Sequence, residues 1–121
     1  MVQDRSTSTS ASRAWALGRL GERITLAELA VREAMSVRTY SRRFREETGL
    51  TPVQWLTQRR LDRARQLLEE TDRTVDRIAA EAGFGTGASL RQHFHAALGV
   101  SPGAYRTTFR GTRTTQDQPR R

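Results

Sequence analysis

One structural unit is written twice in this chain. Tyr40, Phe44, Gly49, Leu50, Thr51, Pro52 and Trp55 fall on Leu90, Phe94, Gly99, Val100, Ser101, Pro102 and Tyr105 at an offset of fifty residues. Upstream, Leu26, Leu29 and Ala30 fall on Val75, Ile78 and Ala79 at an offset of forty-nine. Self-similarity at this period marks one supersecondary unit used twice, so the two halves are expected to fold alike. The one-residue slip falls in the turn of the unit, which in the second copy reads "GFGTG".

The apolar spacing between the chain ends is helical, and no stretch alternates with period two. An all-α fold of seven helices is expected, each with a start or stop signal. "SRAWALGRL" carries Trp15, Leu17 and Leu20. "TLAELAVREA" opens with Thr25 and Glu28 in capping-box spacing and turns Leu26, Leu29 and Ala30 inward. Ser36 caps "VRTYSRRFREET", whose Val37, Tyr40 and Phe44 form one apolar face, and Gly49 ends it in the left-handed region. Pro52, at the first helical position after Thr51, starts the longest helix, which runs unbroken to Glu70. Val53, Leu56, Leu61, Ala64, Leu67 and Leu68 form its apolar stripe. Thr74 opens "TVDRIAAEA", and Gly83 ends it. "ASLRQHFHAAL" follows with Leu90, Phe94 and Leu98 on one face. Ser101 and Pro102 start a last helix ending at Phe109.

These elements predict a first helix-turn-helix subdomain over 13–50, a linker helix over 51–71 and a second helix-turn-helix subdomain over 72–109. The polar, Ser/Thr-rich residues 1–12 and the segment 110–121, "RGTRTTQDQPRR", cannot offset their own ordering entropy and are expected to be loose tails.

The glycines of "GFGTGASLRQHF" could suggest a phosphate-binding loop. A dinucleotide loop follows a strand and opens a helix, whereas Gly83, Gly85 and Gly87 follow a helical pattern, and no Gly-Lys-Ser/Thr is present. They are read instead as the turn of the second unit, with Gly83 at positive φ and Gly85 and Gly87 allowing close backbone approach.

Charge then narrows the partner. Basic residues outnumber acidic ones 21 to 13, and all 21 are arginine. G+C-rich coding is a rival cause of the preference for arginine over lysine, but the net charge of +8 stands under either cause. Arginine presents a planar fork suited to phosphates and guanine edges. In a helix-turn-helix the second helix enters the major groove with its N-terminal half toward base edges. With Val37, Tyr40 and Phe44 inward, the opposite face of the first such helix carries Arg38, Thr39, Ser41, Arg42 and Arg45, opposed in charge by Glu46 and Glu47. The second carries Gly87, Ala88, Ser89, Arg91, Gln92 and His95, with Arg91 and Gln92 able to address guanine and adenine edges. The caps Ser36, Thr51, Thr74 and Ser101 mark helix N-termini whose amides could meet phosphates. Arg59, Arg60, Arg63 and Arg65 on the long helix pair with Asp62, Glu69 and Glu70 or reach phosphates. At about 1.5 Å per residue that helix spans about 28 Å, against the roughly 34 Å between successive major grooves on one side of B-DNA.

Other chemistry finds little footing. The chain has no cysteine, which excludes disulfides, thiolate metal sites and cysteine nucleophiles. His93 and His95 stand about 200° apart on a helix and complete no metal set, and Trp15 and Trp55 read as core. No Gly-x-Ser-x-Gly or α/β pattern is present, so an enzyme, a cofactor and a metal are not expected. No apolar run approaches the roughly 18 residues of a membrane span, and the N-terminus lacks a signal-peptide core, which points to a cytoplasmic protein, nucleoid-associated when bound. A protein-interaction module docking polymerase or an effector domain is the competing reading, and it calls for an exposed apolar patch.

"RRFREETGLTPVQWLTQRRLDRARQLLEET" and "IAAEAGFGTGASLRQHFHAALGVSPGAYR" together resemble the DNA-binding module of the AraC/XylS family, from about Ala14 to Phe109. The resemblance implies two helix-turn-helix subdomains on a long helix and a transcription regulator spanning two major grooves of double-stranded DNA. It also implies contacts from Arg38, Ser41 and Arg42 in the first head and Ala88, Arg91 and Gln92 in the second. "GASLRQHF" and "WLTQRRLDRARQLLEETD" are most similar to the GlxA-type subgroup, in which an amidotransferase-like domain precedes this module. Many members carry arginine at the place of Gln92 and a basic residue at that of His95, which implies a weaker second head.

Overall fold

The computed structural model describes residues 8–117, with side chains through residue 112. Among the described residues there are seven helices and no strand: α1 (Ser10–Leu17), α2 (Leu26–Arg32), α3 (Val37–Thr48), α4 (Pro52–Glu70), α5 (Val75–Ala82), α6 (Gly87–Leu98) and α7 (Pro102–Asp117). The chain divides into two compact units at Arg60 and Leu61, inside α4.

In the first unit, Ala16, Leu29, Ala30, Tyr40, Phe44, Trp55 and Leu56 form the core, with Trp15, Leu20, Ile24, Leu26, Met35 and Leu50 against it. Phe44 meets the edge of Trp55 at 5.6 Å and a tilted Tyr40 ring at 5.7 Å, geometries favoured by aromatic quadrupoles. The Thr25–Glu28 capping box is complete in both directions, at 2.8 and 3.1 Å. Arg60 reaches from α4 to the carbonyls of Leu20 and Glu22 at 3.0 and 2.9 Å, fixing the loop before α2.

The first helix starts earlier than its sequence suggests. Thr9 is fully buried, although it falls in the segment expected to be a loose tail. Its amide and hydroxyl both donate to Glu47 Oε1, which also receives the Arg13 guanidinium at 3.0 Å. Ser12, 1% exposed, donates its amide to Glu33 and its hydroxyl to the Thr9 carbonyl. That uses the only Ser12 hydroxyl proton, so the Tyr40 hydroxyl donates to Ser12 Oγ at 2.7 Å. Long-range polar bonds order this segment, which apolar periodicity does not register. Residues 1–7 of the expected tail lie outside the described residues.

The second unit packs Leu61, Ala64, Leu67, Leu68, Ile78, Ala79, Ala82, Leu90 and Phe94 together, with Val75, Phe84 and Tyr105 against them. Its last helix also outruns expectation, continuing past Phe109 to Asp117. Arg106 donates to the carbonyls of Leu68 and Thr71, and Arg110 to the Thr71 carbonyl and the Asp72 carboxylate, so α7 satisfies orphan carbonyls at the end of α4. Tyr105 Oη adds a hydrogen bond to Glu69. Residues 118–121 of the expected tail lie outside the described residues.

Periodicity misassigned some apolar side chains. Val37 and Val53 are 44% and 67% exposed, and Leu17 and Leu98 are exposed as well. Val37 and Val53 sit in first turns, where the helix has only begun to meet its neighbours.

Candidate nucleic-acid interface

Each unit presents the second helix of a two-helix turn by burying one face of it. In α3 the buried residues are Tyr40 and Phe44; in α6 they are Gly87, Leu90 and Phe94. The turns before them share a backbone device. Gly83 ends α5 at φ 95°, and its repeat counterpart, Ala34, holds a φ of 57° after α2. A left-handed alanine costs about 1–2 kcal/mol, so the first turn tolerates strain that the second avoids with glycine. Gly85 also has positive φ, with open space where a Cβ would lie, so it serves conformation rather than close approach.

The α3 face shows the expected residues. Arg38, Arg42 and Arg45 are exposed, and Thr39 and Ser41 are half-exposed. Arg42 pairs with Glu46 at 3.7 Å, and Arg43 reaches the same carboxylate at 4.0 Å. Arg38 and Arg45 have no ion-pair partner among the described residues. Glu47, expected to balance this face, serves instead as the anchor of Thr9 and Arg13. Burial alone would raise its pKa, but the hydrogen bonds from Thr9 and Arg13 outweigh it and leave the carboxyl below its ordinary value. The face is thereby more basic than the sequence suggests. Val37 is a residue that sequence reasoning missed: exposed at the first helical position, it can meet a thymine methyl group. The signal was its place in the first turn, which faces the bases in such units.

On α6, Ala88, Arg91, Gln92 and His95 are exposed and Ser89 is half-exposed. Gly87, expected on this face, is buried. A Cβ there would come within 2.1 Å of Asp76 Oδ1, so the glycine serves close packing of α5 on α6. His93 bonds the Ser89 carbonyl through Nδ1 at 2.9 Å and lies 5.4 Å from the Phe84 ring, apart from the exposed His95.

The four expected caps are all formed. Ser36, Thr51, Thr74 and Ser101 accept from the amides of Thr39, Gln54, Arg77 and Ala104 at 3.0–3.2 Å. They are unequal as phosphate positions, because Thr51 and Ser101 are followed by buried prolines without an N–H. Ser36 and Thr74 keep those amides. Thr86, which the sequence reading passed over, caps α6 by accepting from Ser89.

Several arginines outside these two faces are engaged in structure. Arg73 and Arg77 converge on Glu81 at 2.5 and 2.8 Å, Arg63 bonds Gln66, and Arg59 and Arg65 lie over the rings of Trp55 and Tyr105. Among the described residues no group of His, Asp and Glu could hold a metal ion, and no helix is long and apolar enough to cross a membrane.

Residues 29–108 match the family model described as a helix-turn-helix domain. The chain is 44% identical over 92 residues to the HTH-type transcriptional regulator Rv1931c of Mycobacterium tuberculosis, covering 76% of this chain and 36% of that protein. It is 37% identical over 82 residues to an AraC-like transcription regulator of Streptomyces lividans, covering 68% and 27%. Among solved structures, the DNA-binding domain of AdpA in complex with a target DNA superposes with a TM-score of 0.85 at 44% identity, covering 88% of this chain and 96% of that one. The chain thus spans about a third of the length of such curated relatives. Two buried-aromatic turn units on one long helix and a family match over most of the chain agree: this protein belongs to the AraC family of helix-turn-helix domains.

Proposed function

We propose that this chain is the sequence-specific, double-stranded DNA-binding part of a transcription regulator, placing α3 and α6 in successive major grooves. The observation that carries this reading is the pair of outward faces on α3 and α6, both polar and basic. The AdpA domain, whose structure holds a target DNA, is similar over nearly its whole length. In the first head Arg38, Arg42 and Arg45 supply guanine or phosphate contacts, Thr39 and Ser41 supply hydroxyls, and Val37 supplies an apolar contact. In the second head Arg91 and Gln92 read base edges, Ala88 and Ser89 fit the groove wall, and His95 faces a phosphate. Ser36 and Thr74 mark helix N-termini that donate amides to the backbone, with smaller parts for Thr51 and Ser101.

Within this reading the protein is not an enzyme and works in the cytoplasm, associated with the nucleoid when bound. A preceding amidotransferase-like effector domain of the GlxA type is supported by the wording of "GASLRQHF" and by relatives about three times as long as the matched region. Contact with RNA polymerase or that effector domain is a second reading. Val31, 75% exposed beside Trp15 and Ala27 on α1 and α2, favours it as an apolar patch away from the recognition helices.

Selection of binding sites from a random duplex pool tests the proposal. Two short conserved blocks about one helical turn apart are expected. A single block, or no enrichment at all, would overturn it.

A further inference from the structure

The two units hold their second helices differently. In the first, one short stretch around the start of α1 bonds both sides of the turn between α2 and α3. Ser12 donates its amide to Glu33, the C-cap of α2, at 2.6 Å, and its hydroxyl oxygen accepts from Tyr40 of α3 at 2.7 Å. Two turns further along α3, Glu47 Oε1 accepts the amide and hydroxyl of Thr9 at 2.9 and 2.7 Å and a guanidinium nitrogen of Arg13 at 3.0 Å. Arg13 also donates Nε to Thr9 Oγ1 at 3.0 Å, and its guanidinium carbon lies 6.0 Å from the centre of the Phe44 ring. Thr9, Ser12 and Tyr40 are at most 1% exposed. In the second unit the places of Glu33, Tyr40 and Glu47 are taken by Ala82, Leu90 and Ala97, whose side chains form no hydrogen bonds.

We infer that Thr9, Ser12 and Arg13 are positioning residues for the first head, fixing the roll of α3 about its axis and its slide along it, so that Arg38, Arg42 and Arg45 meet the duplex in one register. The inference rests on the proposed function and deepens it. Apolar packing is non-directional, so Phe44 against Trp55 tolerates a small roll or slide of the helix. Hydrogen bonds weaken steeply with angle, and a movement that parts Tyr40 from Ser12, or Thr9 from Glu47, strands a buried hydroxyl without a partner. Two such attachments, seven residues and about 10 Å apart along one helix, resist both motions. Base readout needs that restraint, because a reading side chain works within about 0.5 Å and 10–20° of its productive geometry. The segment touches no base itself, and α6 has only apolar side chains at the equivalent places. Its effect is therefore confined to discrimination by the first head.

The test uses the full chain with its selected duplex, the same duplex with each base pair of either block exchanged in turn, and a random duplex. Arg42→Ala and Arg91→Ala assign the two blocks to their heads. Thr9→Val, nearly the same shape without the hydroxyl, should cut discrimination within the first head's block by about three- to tenfold, part of what a bidentate base contact is worth. Discrimination in the other block and affinity for random duplex should stay at the wild-type level, since phosphate contacts carry no sequence information. Tyr40→Phe, which removes one hydroxyl at the other attachment, should give the same pattern, and Thr9→Ser, which keeps the hydroxyl, should behave as wild type. Titrations are run well below each variant's melting temperature, found by circular dichroism, where a loss of stability alone leaves discrimination unmoved. Unchanged discrimination in the first head's block in Thr9→Val or Tyr40→Phe, or equal losses in both blocks, would overturn the inference. Failure of the wild-type chain to select any duplex would instead refute the proposed function beneath it.

Discussion

Glu46 offers a direct way to ask whether α3 is the reading face. Its carboxylate lies 3.7 Å from Arg42 and 4.0 Å from Arg43, with side chains 53%, 57% and 36% exposed respectively. Exposed pairs of this kind are each worth about 0.2–0.5 kcal/mol, so together they hold the guanidiniums by at most about 1 kcal/mol. If Arg42 must leave Glu46 to meet a guanine, that energy opposes binding, and the carboxylate also repels nearby phosphates. Glu46→Gln should therefore tighten binding by about two- to fivefold at low salt, since 1.4 kcal/mol corresponds to tenfold. The gain should shrink as screening shortens toward about 8 Å at physiological ionic strength. Glu22→Gln is the matched control: it removes the same charge and frees Arg19 from an exposed pair at 3.6 Å, away from α3. Fluorescence anisotropy titrations of both variants at two salt concentrations give the comparison. Equal gains would mean that only net charge is felt, and a loss on Glu46→Gln would remove α3 from the interface.

Other expectations follow from the same geometry. Arg42→Ala should weaken a selected site by about 1–3 kcal/mol and random duplex far less, measured by competition titration; equal losses would make Arg42 a phosphate contact. Ala34→Gly should stabilise the first unit by about 0.5–1 kcal/mol by relieving its left-handed alanine, and Gly83→Ala should destabilise the second by about 1 kcal/mol, both read from denaturant midpoints. Opposite signs in the two heads are the diagnostic result. Because the folded-state pKa of Glu47 is lowered, its contribution to stability is complete above the ordinary glutamate value of about 4.3 and is lost as pH falls through the folded value. Acid melting of Glu47→Gln should show a shallower decline below that pH than wild type.

Much of this fold was legible because helices announce themselves by apolar period and by caps. Thr25, Ser36, Thr74 and Ser101 sit at helix N-termini, and Gly49, Gly83 and Gly99 end helices in the left-handed region. Residues 8–12 and 110–117, within the described part of the expected tails, were misread for one reason. Thr9 and Ser12 are ordered by Glu47, Glu33 and Tyr40, and the polar stretch after Phe109 is tied by Arg110 to the end of α4, none of which leaves a local pattern. The outward faces of α3 and α6 were largely visible once Tyr40, Phe44, Leu90 and Phe94 were assigned inward. Gly87 and Val37 were not, since each depends on what packs against a first turn: a carboxylate from α5 in one case and nothing enclosing in the other.

Hydroxyl-radical footprinting of the chain on its selected duplex measures the central claim most directly. Protection should fall in two windows about 10–10.5 base pairs apart on one side of the helix, with the window over the second head weakened in Arg91→Ala and that over the first in Arg42→Ala. A single window, or two windows on opposite sides of the duplex, would contradict insertion of α3 and α6 into successive grooves.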